Sequence, residues 1–301
     1  MPNWLGDAVM ATPLLAIARR RWPDAHIIVQ TKKGLAPLYH GNPYINEVVH
    51  EAKRADIGIL TTNSFSSSWE FFKARIKKRI GFRNECRFFL LTKALPFPKE
   101  RGKEHLVTTY KRLLDAHEDD TPPQLFVTPQ ERTEAQKRLK SLNLDPHKKI
   151  LGINAQAAYG PAKCWLPERF REVAQKAEHN VLFFGDNNGK EEIAEICKGL
   201  AVHNLAGKTT LRELIALIDA CDLFLTNDSG PMHLAAALRT PLVALFGSTN
   251  EVATGPYQFG TVIHKHVSCS PCYLRTCPID FRCMKQISTQ EVLTALLIDE
   301  Q

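Results

Sequence analysis

DLFLTNDSGPMHLAAALRTPLVALFGST, residues 222–249, divides at its polar and bent positions into four pieces. The apolar run Leu223, Phe224 and Leu225 stops at Asn227-Asp228-Ser229-Gly230. A short Ala/Leu-rich segment follows, and Arg239-Thr240-Pro241 separates it from a second apolar run. Hydrophobic runs of that length bounded by turn residues read as strand, turn, helix and strand. Pro231 suits the first helical turn, where a missing N–H costs nothing, and Ser229 or Asp228 is placed to cap the N–H groups beside it. A helix that opens behind small residues points its unpaired N–H groups and its positive dipole end the same way, which suits phosphate. The same pattern equally describes an ordinary, well-capped βαβ crossover.

The alternation continues on both sides of this stretch. Upstream, residues 149–153, 181–184 and 202–205 read as strands, with helices over 167–177, 190–200 and 211–221. The first half reads as a helix over 7–22 with Pro13 as an early kink or a second start, strands at 27–29, 47–49 and 57–60, a serine-rich loop over 61–68, and helices over 69–78, 105–116 and 131–142. Strands alternating with helices imply parallel sheets. At 301 residues the chain is long for one core and suits two α/β domains. The expected division is 1–146 and 147–301. Gly207-Lys208-Thr209 resembles the end of a phosphate-binding loop, but the glycine required upstream is Val202, so a helix-capping turn is the better reading.

Composition narrows the class. With 44% hydrophobic and 24% charged residues the chain has the make-up of a globular protein. No apolar run approaches the roughly 20 residues of a membrane span. Arg19-Arg20-Arg21 follows the first apolar stretch instead of preceding it, unlike a secretory signal, so a cytoplasmic location is expected. Residues 1–146 carry 24 Lys and Arg against 16 Asp and Glu, while the remainder carries 15 against 16, together the formal +7. A basic first half suits an anionic partner such as a phosphorylated lipid surface. No nucleic-acid module accompanies the charge, so nucleic acid is not expected. The run Lys73 to Arg79 reads as the charged side of an amphipathic helix.

Eight cysteines include one cluster, Cys269, Cys272, Cys277 and Cys283. That spacing is near a zinc knuckle with Cys in place of His, so these four form a candidate structural zinc site; a tight loop of free thiols is the alternative. His264 and His266 are expected to be solvent-exposed.

Four stretches, in order, resemble the ADP-heptose:lipopolysaccharide heptosyltransferases, glycosyltransferase family 9. They are Asn3-Trp4-Leu5-Gly6-Asp7, Ala158-Tyr159-Gly160-Pro161-Ala162-Lys163, the motif Asp228-Ser229-Gly230-Pro231-Met232-His233, and Cys269-Ser270-Pro271-Cys272 with Cys277-Pro278. The resemblance implies a GT-B architecture: two Rossmann-like domains with an interdomain cleft, the first binding acceptor and the second the nucleotide-sugar donor. It also implies a last helix, 289–298, packing back on the first domain. It places a buried strand immediately before Asn3. The chain opens at Met1-Pro2, so the N-terminal domain is expected to lack its first strand, unless the start lies upstream.

The implied activity is inverting transfer of L-glycero-D-manno-heptose from ADP-heptose to the heptose-Kdo-lipid A inner core of lipopolysaccharide, at the inner face of the inner membrane. Its implied base is Asp7, for which a carboxylate at a helix start is also a plain N-terminal cap. Lys163 is the implied diphosphate clamp, and Asp228, Ser229, Gly230 and His233 complete the donor site. Cys164 stands where relatives carry arginine. Lysine and backbone dipoles offset leaving-group charge without an ion, so no cofactor and no catalytic metal are expected. The alternatives are another nucleotide-sugar transferase or epimerase of this architecture, separable by purine against uracil selectivity, and a truncated paralogue that binds without turnover.

Overall fold

A computed structural model describes residues 1–84, 86–98 and 102–298. The chain divides into two compact units, Met1–Phe126 and Val127–Gln301.

In the first unit the 7–22 segment forms α1 (Leu5–Met10) and α2 (Pro13–Arg21), Pro13 acting as a second start because it cannot donate to the preceding turn. Then come β1 (Ile28–Gln30), β2 (Glu47–Val49), β3 (Ile57–Leu60), α3 (Phe65–Lys73), β4 (Lys78–Phe82), β5 (Lys93–Leu95) and α4 (Leu106–Lys111). The strands form two separate parallel sheets, β1 with β2 and β3-β4-β5. No strand precedes α1 among the described residues, and the Met1 amino group donates to Gln30 O at 2.8 Å. Ser64 caps α3 by accepting from Ser67 N, so this helix starts four residues earlier than the sequence suggests. It ends at Lys73, and Arg75 turns with φ +56°. The basic run Lys73 to Arg79 therefore spans a helix end, a turn and a strand start, and is not a helical face.

The second unit opens with α5 (Pro129–Ser141), bounded by a capping box in which Thr128 and Glu131 satisfy each other's backbone N–H. It continues through β6 (Ile150–Asn154), α6 (Pro167–Lys176), β7 (Asn180–Phe184), α7 (Lys190–Cys197), β8 (His203–Asn204), α8 (Leu211–Asp219) and β9 (Leu223–Asn227). The rest is α9 (Gly230–Leu238), β10 (Leu242–Phe246), α10 (Glu251–Thr254), β11 (Thr261–His264), α11 (Arg282–Lys285) and α12 (Thr289–Ile298). α5 lies on this side of the division because it packs on α8. Arg212 forks onto Glu131 at 2.7 and 2.5 Å, Arg132 meets Asp219 at 2.9 Å, and Arg138 meets Glu213 at 3.0 Å.

Six parallel strands run in the order β11-β10-β9-β6-β7-β8. Every residue of β9 and β10 is buried, as parallel strands covered on both faces require. One face packs Leu151, Ile153, Phe183, Leu223 and Leu225 under α6 and α7 around Trp165 and Phe170. At Gly152 the Phe224 ring lies over the backbone, 2.6 Å from where a Cβ would stand. Val292, Ala295 and Leu296 of α12 join the same core, and Thr289 donates to Glu172 of α6 at 2.6 Å. Within its own unit the last helix packs on α6 and β10, its apolar face completing this core. No helix among the described residues is long and apolar enough to cross a membrane.

Candidate nucleotide-sugar site

The strand order reverses between β9 and β6. In open parallel sheets the loops leaving such a pair diverge and open a crevice at the carboxyl ends. The two loops here are 155–163, after β6, and Asp228-Ser229, after β9.

Side chains lock these loops together. Asn227 is fully buried and uses both ends of its amide: Nδ2 donates to Ala155 O at 2.7 Å, and Oδ1 accepts from Trp165 N at 2.9 Å. Asn154 Nδ2 donates to Gln156 O at 2.9 Å and to Ser229 Oγ at 3.1 Å, while the Thr226 and Ser229 hydroxyls lie 3.0 Å apart. Ser229 occupies the N-cap position of α9, yet its hydroxyl serves this network and makes no capping bond. The helix therefore opens without a side-chain cap, which leaves its first N–H groups to a ligand. Gly230 and Pro231 form the first turn, and His233 is buried one residue beyond Met232.

Lys163 and Asp228 meet as an ion pair, 14% and 4% exposed. Thr249 Oγ1 donates to the same carboxylate oxygen, Oδ2, at 2.6 Å. The Lys163 ammonium also stands 4.9 Å from the centre of the Tyr159 ring, over which Arg275 lies at 5.3 Å. Burial pushes the Cys164 thiol up to about 11, so the residue beside Lys163 is neutral. Gly160 has φ +150°, and a Cβ there would stand 2.5 Å from Arg275 O. That close approach lets Ala162 N donate to Arg275 O at 3.0 Å, and Tyr159 OH to Tyr273 O at 2.6 Å. Loop 155–163 is thereby seated on the cysteine-bearing loop.

The structure thus gathers Lys163, Asp228, Ser229, Gly230 and His233 around one helix end. Asp7 belongs to the first unit, half-buried in the first turn of α1; burial, and next the Asp7 charge, hold the Tyr110 phenol well above its ordinary range. Sequence reasoning missed Thr249, Asn154 and Thr226. Asn154 ends an apolar strand on a polar residue, the one local hint of its role.

Cys269, Cys272, Cys277 and Cys283 line one cavity of about 70 Å³ with Gly247 and Ser248, whose buried hydroxyl has no hydrogen-bond partner among the described residues. Phe281 N donates to Cys277 Sγ at 3.3 Å. His264 contradicts the expectation of exposure: its side chain is 2% exposed, with Nδ1 2.7 Å from Glu251 and Nε2 2.8 Å from Ser270 Oγ. His266 remains exposed and lies 3.4 Å from the other Glu251 oxygen. The donor atoms of Glu251, His264 and His266 fall within 4.8 Å of one another.

Comparison with known proteins gives a consistent result. The profile of glycosyltransferase family 9 (heptosyltransferase) matches residues 50–281. The lipooligosaccharide heptosyltransferase 2 of Campylobacter jejuni is 31% identical over 325 residues, 97% of this chain and 94% of that protein. The lipopolysaccharide heptosyltransferase 2 of Escherichia coli K12 is 31% identical over 290 residues, 85% and 83% of the two chains. The solved structure of E. coli ADP-heptose LPS heptosyltransferase II superposes with a TM-score of 0.86 at 29% identity, covering 99% of this chain and 96% of the other.

Proposed function

The chain belongs to glycosyltransferase family 9, and from that premise we propose that it transfers L-glycero-D-manno-heptose from ADP-heptose to the heptose-Kdo-lipid A inner core of lipopolysaccharide. The observation that carries the reading is the uncapped start of α9 beside the Lys163 ammonium. Two sources of positive charge meet where a diphosphate would sit.

Departure of ADP puts negative charge on the β-phosphate oxygens. Lys163 offsets that charge from a position fixed by Asp228 and Tyr159. The α9 N–H groups add to it, Ser229 and Gly230 let the phosphates approach the backbone, and His233 supports the same turn. Asp228 orients Lys163 and is itself oriented by Thr249. On the acceptor side Asp7 takes the hydroxyl proton as the anomeric bond breaks, and attack from the face opposite ADP inverts the centre. The charge supplied by Lys163 and the helix end supports turnover without a divalent cation. The reaction is assigned to the cytoplasmic side of the inner membrane.

The test is calorimetric titration of the chain with ADP and UDP, followed by a transfer assay with ADP-heptose and heptose-Kdo-lipid A in excess EDTA. ADP-selective binding and EDTA-resistant heptose transfer are expected. Equal affinity for both nucleotides, or binding with no transfer, overturns the assignment.

A further inference from the structure

Helix α3 turns Phe71 inward onto Gly58 of β3 and leaves its other aromatics in solvent. Its fully buried residue is Ser68, whereas Phe65, Trp69 and Phe72, spaced to share one face, are 41%, 45% and 48% exposed. Beside them stand Phe88 and Phe89, 59% and 63% exposed. The rings form a connected surface on each side: Phe65 lies 6.2 Å from Phe89, Phe89 lies 5.9 Å from Phe88, and Trp69 stacks on Phe72 at 5.6 Å. Five clustered aromatics in water are costly, and a contiguous patch of this kind marks an interaction surface.

The patch is held rigidly. Arg87, fully buried between its two halves, donates to Phe82 O at 3.0 Å, Thr62 O at 2.6 Å, Ser64 O at 3.2 Å and Asn63 Oδ1 at 3.2 Å. It ties the start of α3 to the turn that carries Phe88 and Phe89.

Charge identifies the occupant. Residues 73–83 read KARIKKRIGFR, with six basic residues and no acidic one. Lys73, Arg75, Lys77, Lys78 and Arg83 are exposed, and Arg79 lies over the Phe72 ring at 5.4 Å. Aromatic side chains that present apolar faces next to a rim of lysine and arginine match the interface of an anionic bilayer, where rings insert at headgroup level and cations meet lipid phosphate.

We propose that the α3 face, with Phe88, Phe89 and the 73–83 basic rim, docks the chain on an anionic lipid surface. This contact needs neither donor nor acceptor and stands independently of the transfer reaction. It is tested by co-sedimentation with vesicles of phosphatidylcholine alone and of phosphatidylcholine mixed with phosphatidylglycerol, with no nucleotide present. The intact chain is expected to bind the mixed vesicles, and less so as salt rises. Trp69→Ser/Phe72→Ser/Phe88→Ser/Phe89→Ser is expected to lose binding by about tenfold or more, and Lys73→Gln/Arg75→Gln/Lys78→Gln to lose the preference for anionic lipid. Unchanged far-ultraviolet circular dichroism and melting temperature in both variants check that the fold survives. No binding to mixed vesicles, undiminished binding by the aromatic variant, or a dimer of the intact chain that this variant dissociates would each overturn the proposal.

Discussion

Replacing Lys163 with methionine separates the two tasks the structure gives it. The ammonium pairs with an Asp228 carboxylate that is 4% exposed and whose other described partner is the Thr249 hydroxyl. Removing one member of a buried pair strands the other charge, so Lys163→Met is expected to cost about 3–5 kcal/mol of stability. Adding Asp228→Asn removes the stranded charge and should return most of that loss. Catalysis responds differently. A preorganised positive group at a departing phosphate contributes about 3–4 kcal/mol to the transition state, or a 100- to 1,000-fold fall in kcat when deleted. The asparagine cannot restore it. Urea denaturation and steady-state transfer of heptose from ADP-heptose, measured on both variants, give the two numbers independently. A single variant that keeps kcat within about threefold of the parent, or a double variant that recovers kcat along with stability, would show that Lys163 is there for packing and not for chemistry.

Three further outcomes follow from other contacts. The Glu131 carboxyl is held down to about 2 by Arg212, with burial opposing, so its stabilisation is complete above its ordinary value of 4.5 and is lost as pH falls from there towards 2; this amounts to about 3 kcal/mol, and Arg212→Gln should flatten the acid limb of a thermal-melt profile across that window. Gly160→Ala meets the Arg275 carbonyl in a backbone conformation disfavoured for alanine, so loop 155–163 should shift and KM for the donor rise by about tenfold or more while the melting temperature changes little. The four clustered cysteines are expected to be free thiols, so purified chain should carry no stoichiometric zinc by emission spectroscopy; about one zinc per molecule that Cys283→Ser loses would establish them as a metal site instead.

Local pattern made the second unit readable because its strands are apolar runs bounded by turn residues and two of its helices open on capping boxes. Thr128 with Glu131 and Thr210 with Glu213 announce α5 and α8 in four letters each. The motif residues Lys163, Asp228 and Ser229 were legible as residue types in a familiar order. Their mutual arrangement was not, because the Lys163–Asp228 pair and the Asn227 bridge join positions more than sixty residues apart. Ser229 shows the limit clearly: local chemistry makes it a cap, and a hydrogen bond from Asn154 on another strand overrides that preference. His264 was misjudged for the same reason, since the side chains that bury it come from α10 and the cysteine loop. The α3 face ran against pattern, because Phe71 and Ser68 turn inward while Phe65, Trp69 and Phe72 stay exposed. The run Lys73 to Arg79 looked helical by composition, and only the turn at Arg75 breaks it.

The seam between β6 and β9 also sets when this pocket comes into being. The two strands touch in space but their paired residues Asn154 and Thr226 lie 72 positions apart, with β7 and β8 between them in the chain. Closing a loop of that length is a late and slow event in folding, since its entropy must be met before the pairing contacts reward it. The strands β6 to β8 and β9 to β11 can each assemble from near neighbours, but Asn227 reaches Ala155 only after the two halves have zipped. A chain emerging from the ribosome or returning from urea is expected to gain the proposed nucleotide site only once β6 and β9 have paired, so the appearance of ADP binding in a refolding time course would report closure of the whole sheet.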